Sequence, residues 1–140
     1  MNWTQIAFDS HYLAAEESLR ALEAGDVAEA KLGMRELVEA MGRAERRAVR
    51  SQLQRLMKHV LKWYTQPALR STSWVESINN ARDEIEASQE EVPSITRAVI
   101  ESMWDASLEK AIQRAEEEMN QPPALASLTW DQVFVDGYRI

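Results

Sequence analysis

The chain contains no cysteine and only two histidines, His11 and His59. Without thiols it can build neither a disulfide framework nor a thiolate metal site. The two histidines stand far apart, and no H-x-x-x-H or E-x-x-H pattern places a ligand pair on one helix face. No metal and no cofactor is therefore expected. There is no G-x-S-x-G elbow and no glycine-rich loop to hold a nucleotide phosphate. Glycine and proline number four each in 140 residues, which predicts long regular elements with few breaks. No run approaches the length of apolar sequence needed to span a bilayer, so no transmembrane helix is predicted. The opening residues, Met1 to Gln5, lack the charged start and apolar stretch of a secretory signal. Together these absences favour a soluble cytoplasmic protein with no membrane association.

What is present suits one globular domain over residues 1–140, since 45% of the residues are hydrophobic. The net charge of −7 argues against wrapping a nucleic acid backbone. The charge is unevenly spread. Arg43 to Lys62 holds seven bases (Arg43, Arg46, Arg47, Arg50, Arg55, Lys58, Lys62) against Glu45 alone, and residues 83–118 hold eleven acids against Arg97, Lys110 and Arg114. The two segments could neutralise each other as neighbours. Alternatively, the basic one could meet a phosphate ligand or acidic partner, or the acidic one could imitate nucleic acid towards a basic partner.

Nearly every segment reads as helix. Asp9 and Ser10 are cap candidates for a first helix whose stripe is Tyr12, Ala15, Leu19 and Leu22. Gly25 ends it, and Asp26 with Glu29 forms a capping-box pattern for a second. Val27, Ala30, Met34, Leu37, Val38 and Met41 are its apolar stripe, and Gly42 its expected end. A third helix is predicted from about Ala44 to Gln66, with Val49, Leu53, Leu56, Met57, Val60, Trp63 and Tyr64 inward, stopped by Pro67. Ser73 with Glu76 would open a fourth, carrying Trp74, Ile78, Ala81 and Ile85. Pro93-Ser94 would begin a fifth reaching about Met119, with Ile95, Val99, Met103, Leu108, Ile112 and Ala115 inward. Thr129 and Gln132 open a short last turn. The predicted fold is all-α: a single-domain antiparallel bundle of about five main helices plus a short C-terminal one.

At about 100° per residue, Arg55, His59, Lys62 and Gln66 share one side of the third helix. An antiparallel fourth helix would bring Ser73-Trp74 near Lys62 and Trp63, and Arg82 to the level of His59. The candidate ligand-binding cluster is therefore His59, Lys62, Gln66, Trp74 and Arg82, with Trp63 as a wall. Its fixed positive charge and hydrogen-bond donors suit a small anion or phosphoester. The same residues read more simply as packing at the edge of an apolar face, and no catalytic residue is assigned.

The segment Glu39-Ala40-Met41-Gly42-Arg43-Ala44-Glu45 matches an E-x-M-G-R/K-x-E pattern. With His59-Val60-Leu61-Lys62-Trp63, Gln66-Pro67, Ser73-Trp74, Ile78 and Arg82, then Val92-Pro93-Ser94 and Leu128 to Val133, it resembles the bacterial domain of unknown function 29 family over nearly the whole chain. The resemblance implies an all-helical fold and a bacterial origin. It implies no reaction and assigns no residue a role. The sequence departs from the family pattern at Glu118-Met119-Asn120-Gln121, at Ala126-Ser127-Leu128 and at Leu37.

Because no nucleophile, base and orienting group can be assembled, the expectation is a non-catalytic module that binds a protein partner or itself as a homodimer. The five tryptophans supply anchor material for such an interface. The alternative is an anion-binding protein, even a hydrolase, built on His59, Lys62, Gln66 and Arg82. An exposed apolar patch at Trp104 or Trp130 would favour the first reading. A concave polar cluster open to solvent would favour the second.

Overall fold

A computed structural model describes all 140 residues. The protein is all-α, with seven helices and no strand: α1 Trp3–Asp9, α2 His11–Glu23, α3 Val27–Thr65, α4 Thr72–Glu91, α5 Arg97–Ser102, α6 Trp104–Met119 and α7 Trp130–Phe134. Pro67–Leu69 forms a single 3-10 turn. Contacts gather the chain into two compact units, Met1–Arg46 and Arg47–Ile140.

The first unit begins with a helix that the apolar periodicity does not reveal. Asn2 caps α1 by accepting the Gln5 N–H, and Ser10, in extended geometry, ends α1 and caps α2 through the Leu13 N–H. The α2–α3 connection is a Schellman motif. The Gly25 N–H reaches the Leu22 carbonyl and the Asp26 N–H reaches that of Ala21, with Gly25 at φ 84°, a conformation glycine adopts without strain. Asp26 then caps α3 through the Glu29 N–H at 3.1 Å. The second half of the expected capping box is missing, because the Glu29 carboxylate accepts the Trp3 indole N–H at 2.7 Å instead. Where two helices are expected on either side of Gly42, there is one. Glycine inside a helix costs only about 1 kcal/mol relative to alanine, and its neighbours Ala40, Met41, Arg43 and Ala44 are helix formers or neutral.

The second unit has the large core. Leu53, Leu56, Met57, Val60 and Leu61 of α3 are fully buried against Ile78, Ala81 and Ile85 of α4, Ile100 of α5 and Ala111 and Ala115 of α6. The predicted inner faces of α3 and α4 are the observed ones; in α5 and α6 the predicted Val99, Leu108 and Ile112 are half-buried beside the buried Ile100, Ser107 and Ala111. Three boundaries differ from expectation. Ser71, not Ser73, caps α4, by accepting the Trp74 N–H. Thr96 caps α5 through the Val99 N–H, and Pro93-Ser94 forms a turn that drops Ile95 into the core ahead of the helix. The expected fifth helix is broken at Met103, so α5 and α6 are separate. α6 ends on Asn120 in the left-handed conformation, φ 56°, which asparagine tolerates. Thr129 and Gln132 form the expected capping box of α7.

Gly33 is where the first unit is tightest. A Cβ there would lie 2.2 Å from Ser18 Oγ and 2.7 Å from the Trp3 ring. Gly33→Ala is therefore expected to destabilise by about 1–3 kcal/mol, as overpacking does. Gly42→Ala meets only the mobile end of Arg46 at 3.0 Å and is expected to stabilise by up to about 1 kcal/mol. Urea unfolding followed by circular dichroism measures both. The same sign for both substitutions would show that close approach is not what keeps glycine at position 33.

Candidate functional site

The expected cluster of His59, Lys62, Gln66, Trp74 and Arg82 lies wholly in the second unit, and the structure brings part of it together. The Lys62 ammonium sits 5.0 Å from the Trp74 ring centroid, a cation–π distance. It also pairs with Glu118 Oε2 at 3.1 Å, while Lys58 reaches Glu118 Oε1 at 3.0 Å. The acidic run at the end of α6 thus meets the basic segment at Lys58 and Lys62. Burial pushes the Glu118 carboxyl up, but hydrogen bonds and attraction from the two lysines outweigh it and hold it below the ordinary range. Glu118 is the residue the sequence reading missed. Its signal was position, three residues beyond Ala115 on the edge of the buried face of α6.

His59 turns along its own helix. Its Nδ1 lies 2.9 Å from the Arg55 carbonyl. A carbonyl only accepts, so Nδ1 carries the proton and Nε2 keeps its lone pair. Burial lowers the basicity of this ring, the Arg55 carbonyl partly restores it, and Lys58, Lys62 and Arg55 lower it again. The balance favours the neutral form of the ring. Gln66 ends α3. It leaves helical geometry at φ −125°, ψ 66°, as the following proline requires, and its side chain makes no capping bond.

Arg82 serves another purpose. Its Nε donates to the Val133 carbonyl at 2.8 Å and its Nη2 to that of Gln132 at 3.4 Å, two of the unpaired carbonyls at the end of α7. The guanidinium also lies 5.5 Å from the Tyr138 ring. Arg82 follows Trp74 by eight residues, about 12 Å along α4. Trp63 packs rather than lines an opening. It meets Tyr138 edge-on at 5.4 Å and carries the Arg70 guanidinium 4.5 Å from its ring. Chemically, then, this region holds two lysines on one carboxylate, an imidazole of lowered basicity and an arginine engaged by backbone. No three histidine or acidic side chains converge as a metal-binding group.

A second cluster joins Trp104, Trp130 and Phe134. The two indoles stack at 5.6 Å, Trp130 and Phe134 lie 4.4 Å apart, and Arg97 covers Trp130 at 4.1 Å. These rings are half-buried, largely against one another, and a cleft of about 280 Å³ remains between Glu101, Trp104, Leu128 and Trp130.

The exposed apolar surface lies elsewhere. Of fourteen large apolar side chains in solvent, eleven belong to Met1–Arg46 and three to the longer second unit. Tyr12, Leu19 and Leu22 of α2 and Val27, Met34, Val38 and Met41 of α3 are among them. Periodicity places these positions in the core together with Ala30 and Leu37, but of the predicted stripes only Ala30 and Leu37 are buried. The buried faces are instead the adjacent rows of small residues, Ala14 and Ser18 on α2 and Ala30, Gly33 and Ala40, with Leu37, on α3. Leu22, Val27, Ala30, Lys31, Met34 and Arg35 line a groove of about 440 Å³ on this surface.

Two outcomes are expected. Arg82→Ala should speed amide exchange across Trp130–Tyr138 by roughly tenfold or more, since hydrogen bonds to charged groups contribute about 1.5–3 kcal/mol. Unchanged exchange there would show that Arg82 does not hold the segment. For His59, the folded protein lowers basicity below the ordinary 6.5. Its contribution to stability is therefore full above that value and lost as the pH falls below it. His59→Gln should flatten the acid side of the melting-temperature profile relative to the wild type. Superimposable profiles would remove His59 from the account.

No curated protein and no solved structure matches the chain. The family model described as Domain of unknown function DUF29 matches residues 9–138 of the 140, and the chain belongs to that family.

Proposed function

We propose that this protein is a non-catalytic interaction module that binds a protein partner through the α2–α3 face of its first unit. The carrying observation is the concentration of exposed apolar side chains there: Tyr12 is 76% and Val38 65% exposed. Soluble monomers rarely leave a contiguous patch of this kind unless it binds something. The rows are regular, at three-four spacing on both helices, which is the pattern of a helix face awaiting another helix. The polar cluster of the second unit supports this reading by contrast. Lys62 shares the Glu118 carboxylate with Lys58, and Arg82 gives its Nε–H and one Nη–H to carbonyls of α7, so part of the donor set an anion would need is already engaged within the protein.

The test is co-purification with the tagged full chain from its native host. Leu19→Glu/Val38→Glu places charge on the face while leaving the small-residue contact between α2 and α3 untouched. The double variant should retain helicity and lose the bound protein, whether a different chain or an untagged copy. His59→Ala/Lys62→Ala should keep it. Retention by the first variant and loss by the second would reverse the assignment.

A further inference from the structure

We propose that the apolar face is covered by a second copy of the same chain, with α2 of one copy running antiparallel along α3 of the other. This names the occupant of the surface proposed above and rests on that reading.

The argument starts from the order of residues across the face. α2 and α3 form an antiparallel hairpin, since Leu22 and Val27 share one groove and Ser18 sits against Gly33. On α2 the buried row Ala14, Ser18 is followed round the helix by the exposed row Tyr12, Ala15, Leu19, Leu22, and then by Glu16 and Glu23. On α3 the buried row Ala30, Gly33, Leu37, Ala40 is followed by Val27, Met34, Val38, Met41, and then by Lys31 and Arg35. Because the helices run in opposite directions, these two progressions turn the same way out of the contact. Both exposed rows therefore lie on one side of the hairpin. The face is bounded by Glu16 and Glu23, with Arg20 between them, along the outer edge of α2 and by Lys31 and Arg35, with Glu39 beyond them, along the outer edge of α3.

Such a surface complements itself. A two-fold axis parallel to the hairpin exchanges its edges, so α2 faces α3 of the other copy and acids face bases. An axis across the hairpin would set α2 on α2 and acids on acids. Charge therefore selects one geometry. Height along the axis agrees with it, because the parallel axis preserves level. The two contacts across the hairpin place position 16 level with about position 34, between Lys31 and Arg35. Each copy thus sets Glu16 opposite the other's Lys31 and Arg35, and the pair occurs twice. Within its own helix Glu16 also pairs with Arg20 at 2.7 Å, so the other copy's Lys31 and Arg35 share a carboxylate that Arg20 already partly neutralises.

The area suffices. Tyr12, Leu19, Leu22, Val27, Met34, Val38 and Met41 are 40% to 76% exposed, which is roughly 700 Å² of side-chain surface, close to the about 800 Å² that each partner buries in a standard interface. The product is a four-helix layer in which the two apolar rows of each copy interdigitate.

Light scattering and sedimentation of the full chain test this. The wild type should show twice the 16.0 kDa monomer mass, and Val38→Glu should return it to one copy with helicity intact. Glu16→Arg and Arg35→Glu should each weaken association by tenfold or more, by juxtaposing like charges twice. Mixing the two single variants should restore it, because each mixed pair again sets acid on base. A wild type that stays at monomer mass up to roughly 100 µM, where even weak homodimers assemble, overturns the second copy. If Leu19→Glu/Val38→Glu still loses a co-purified protein, the surface reading survives that result; if it loses nothing, both fall. A dimer indifferent to Val38→Glu would place the interface elsewhere. A sensitive dimer that mixing fails to restore would overturn the α2-on-α3 geometry.

Discussion

The first unit is governed by how closely α2 and α3 approach. Ser18 and Gly33 meet with no room for a single added carbon, and the Trp3 ring closes over the same spot. Small residues continue along the contact at Ala14, Ala30 and Ala40. Helices that pack on small side chains come near enough to leave no space for large ones between them. Tyr12, Leu19, Met34 and Val38 are consequently displaced to the next row round each helix, where nothing within the unit covers them. A 46-residue unit lies near the size at which a hydrophobic core is hard to build alone. Here the core consists mainly of alanines, with Trp3, Leu37 and the half-buried Ile6. The same geometric fact therefore accounts for both the thin core and the wide apolar surface.

The second unit solves its packing with large side chains, and its polar groups follow from that. Tyr138 sits between Trp63, Tyr64 and Arg82, packed edge-on against both aromatic rings, and its hydroxyl donates to the Gln132 carbonyl. Burial and the nearby Tyr64 hydroxyl raise the Tyr138 phenol far above its ordinary range, so it remains a neutral donor throughout the physiological range. Arg82 supplies donors for the Val133 and Gln132 carbonyls at the end of α7. The C-terminal segment is thus held by polar contacts around an aromatic centre. Those contacts account for the arginine that helical spacing alone would assign to a ligand.

The helical class, the inner faces of α3 after Val49 and of α4, and the capping box at Thr129 were legible in the sequence, and that of α6 in part, since Leu108 and Ile112 flank the buried Ser107 and Ala111. Each rests on local periodicity or on a cap formed within one turn. What was not legible depends on partners distant in sequence. Glu29 reads as half of a capping box, yet the indole of Trp3 takes its carboxylate. Gly42 reads as a terminator, yet good helix formers on both sides carry α3 through it. Arg82 falls at the right level for His59, but its carbonyl partners lie about fifty residues away in α7. The candidate cluster was legible in part: Lys62 and Trp74 do meet. The Glu118 carboxylate between Lys58 and Lys62 was absent from that reading because adjacency across helices is not written in the spacing of any one of them.

The apolar rows of α2 and α3 are the instructive case. Periodicity identifies a face that avoids water, but it does not say whether the cover comes from the same chain. Two features separate these alternatives here. The first is the neighbouring row of small residues, which already fills the intrachain contact and leaves the large row spare. The second is the distribution of charge, with Glu16 and Glu23 on one edge and Lys31 and Arg35 on the other. An unpartnered apolar face without charged edges would associate with any other such face. Edges of opposite sign penalise most pairings and leave one that satisfies both edges at once. The charges need contribute little affinity to do this, because exposed pairs are individually weak. Their effect is to select among geometries that the apolar area alone would make nearly equal.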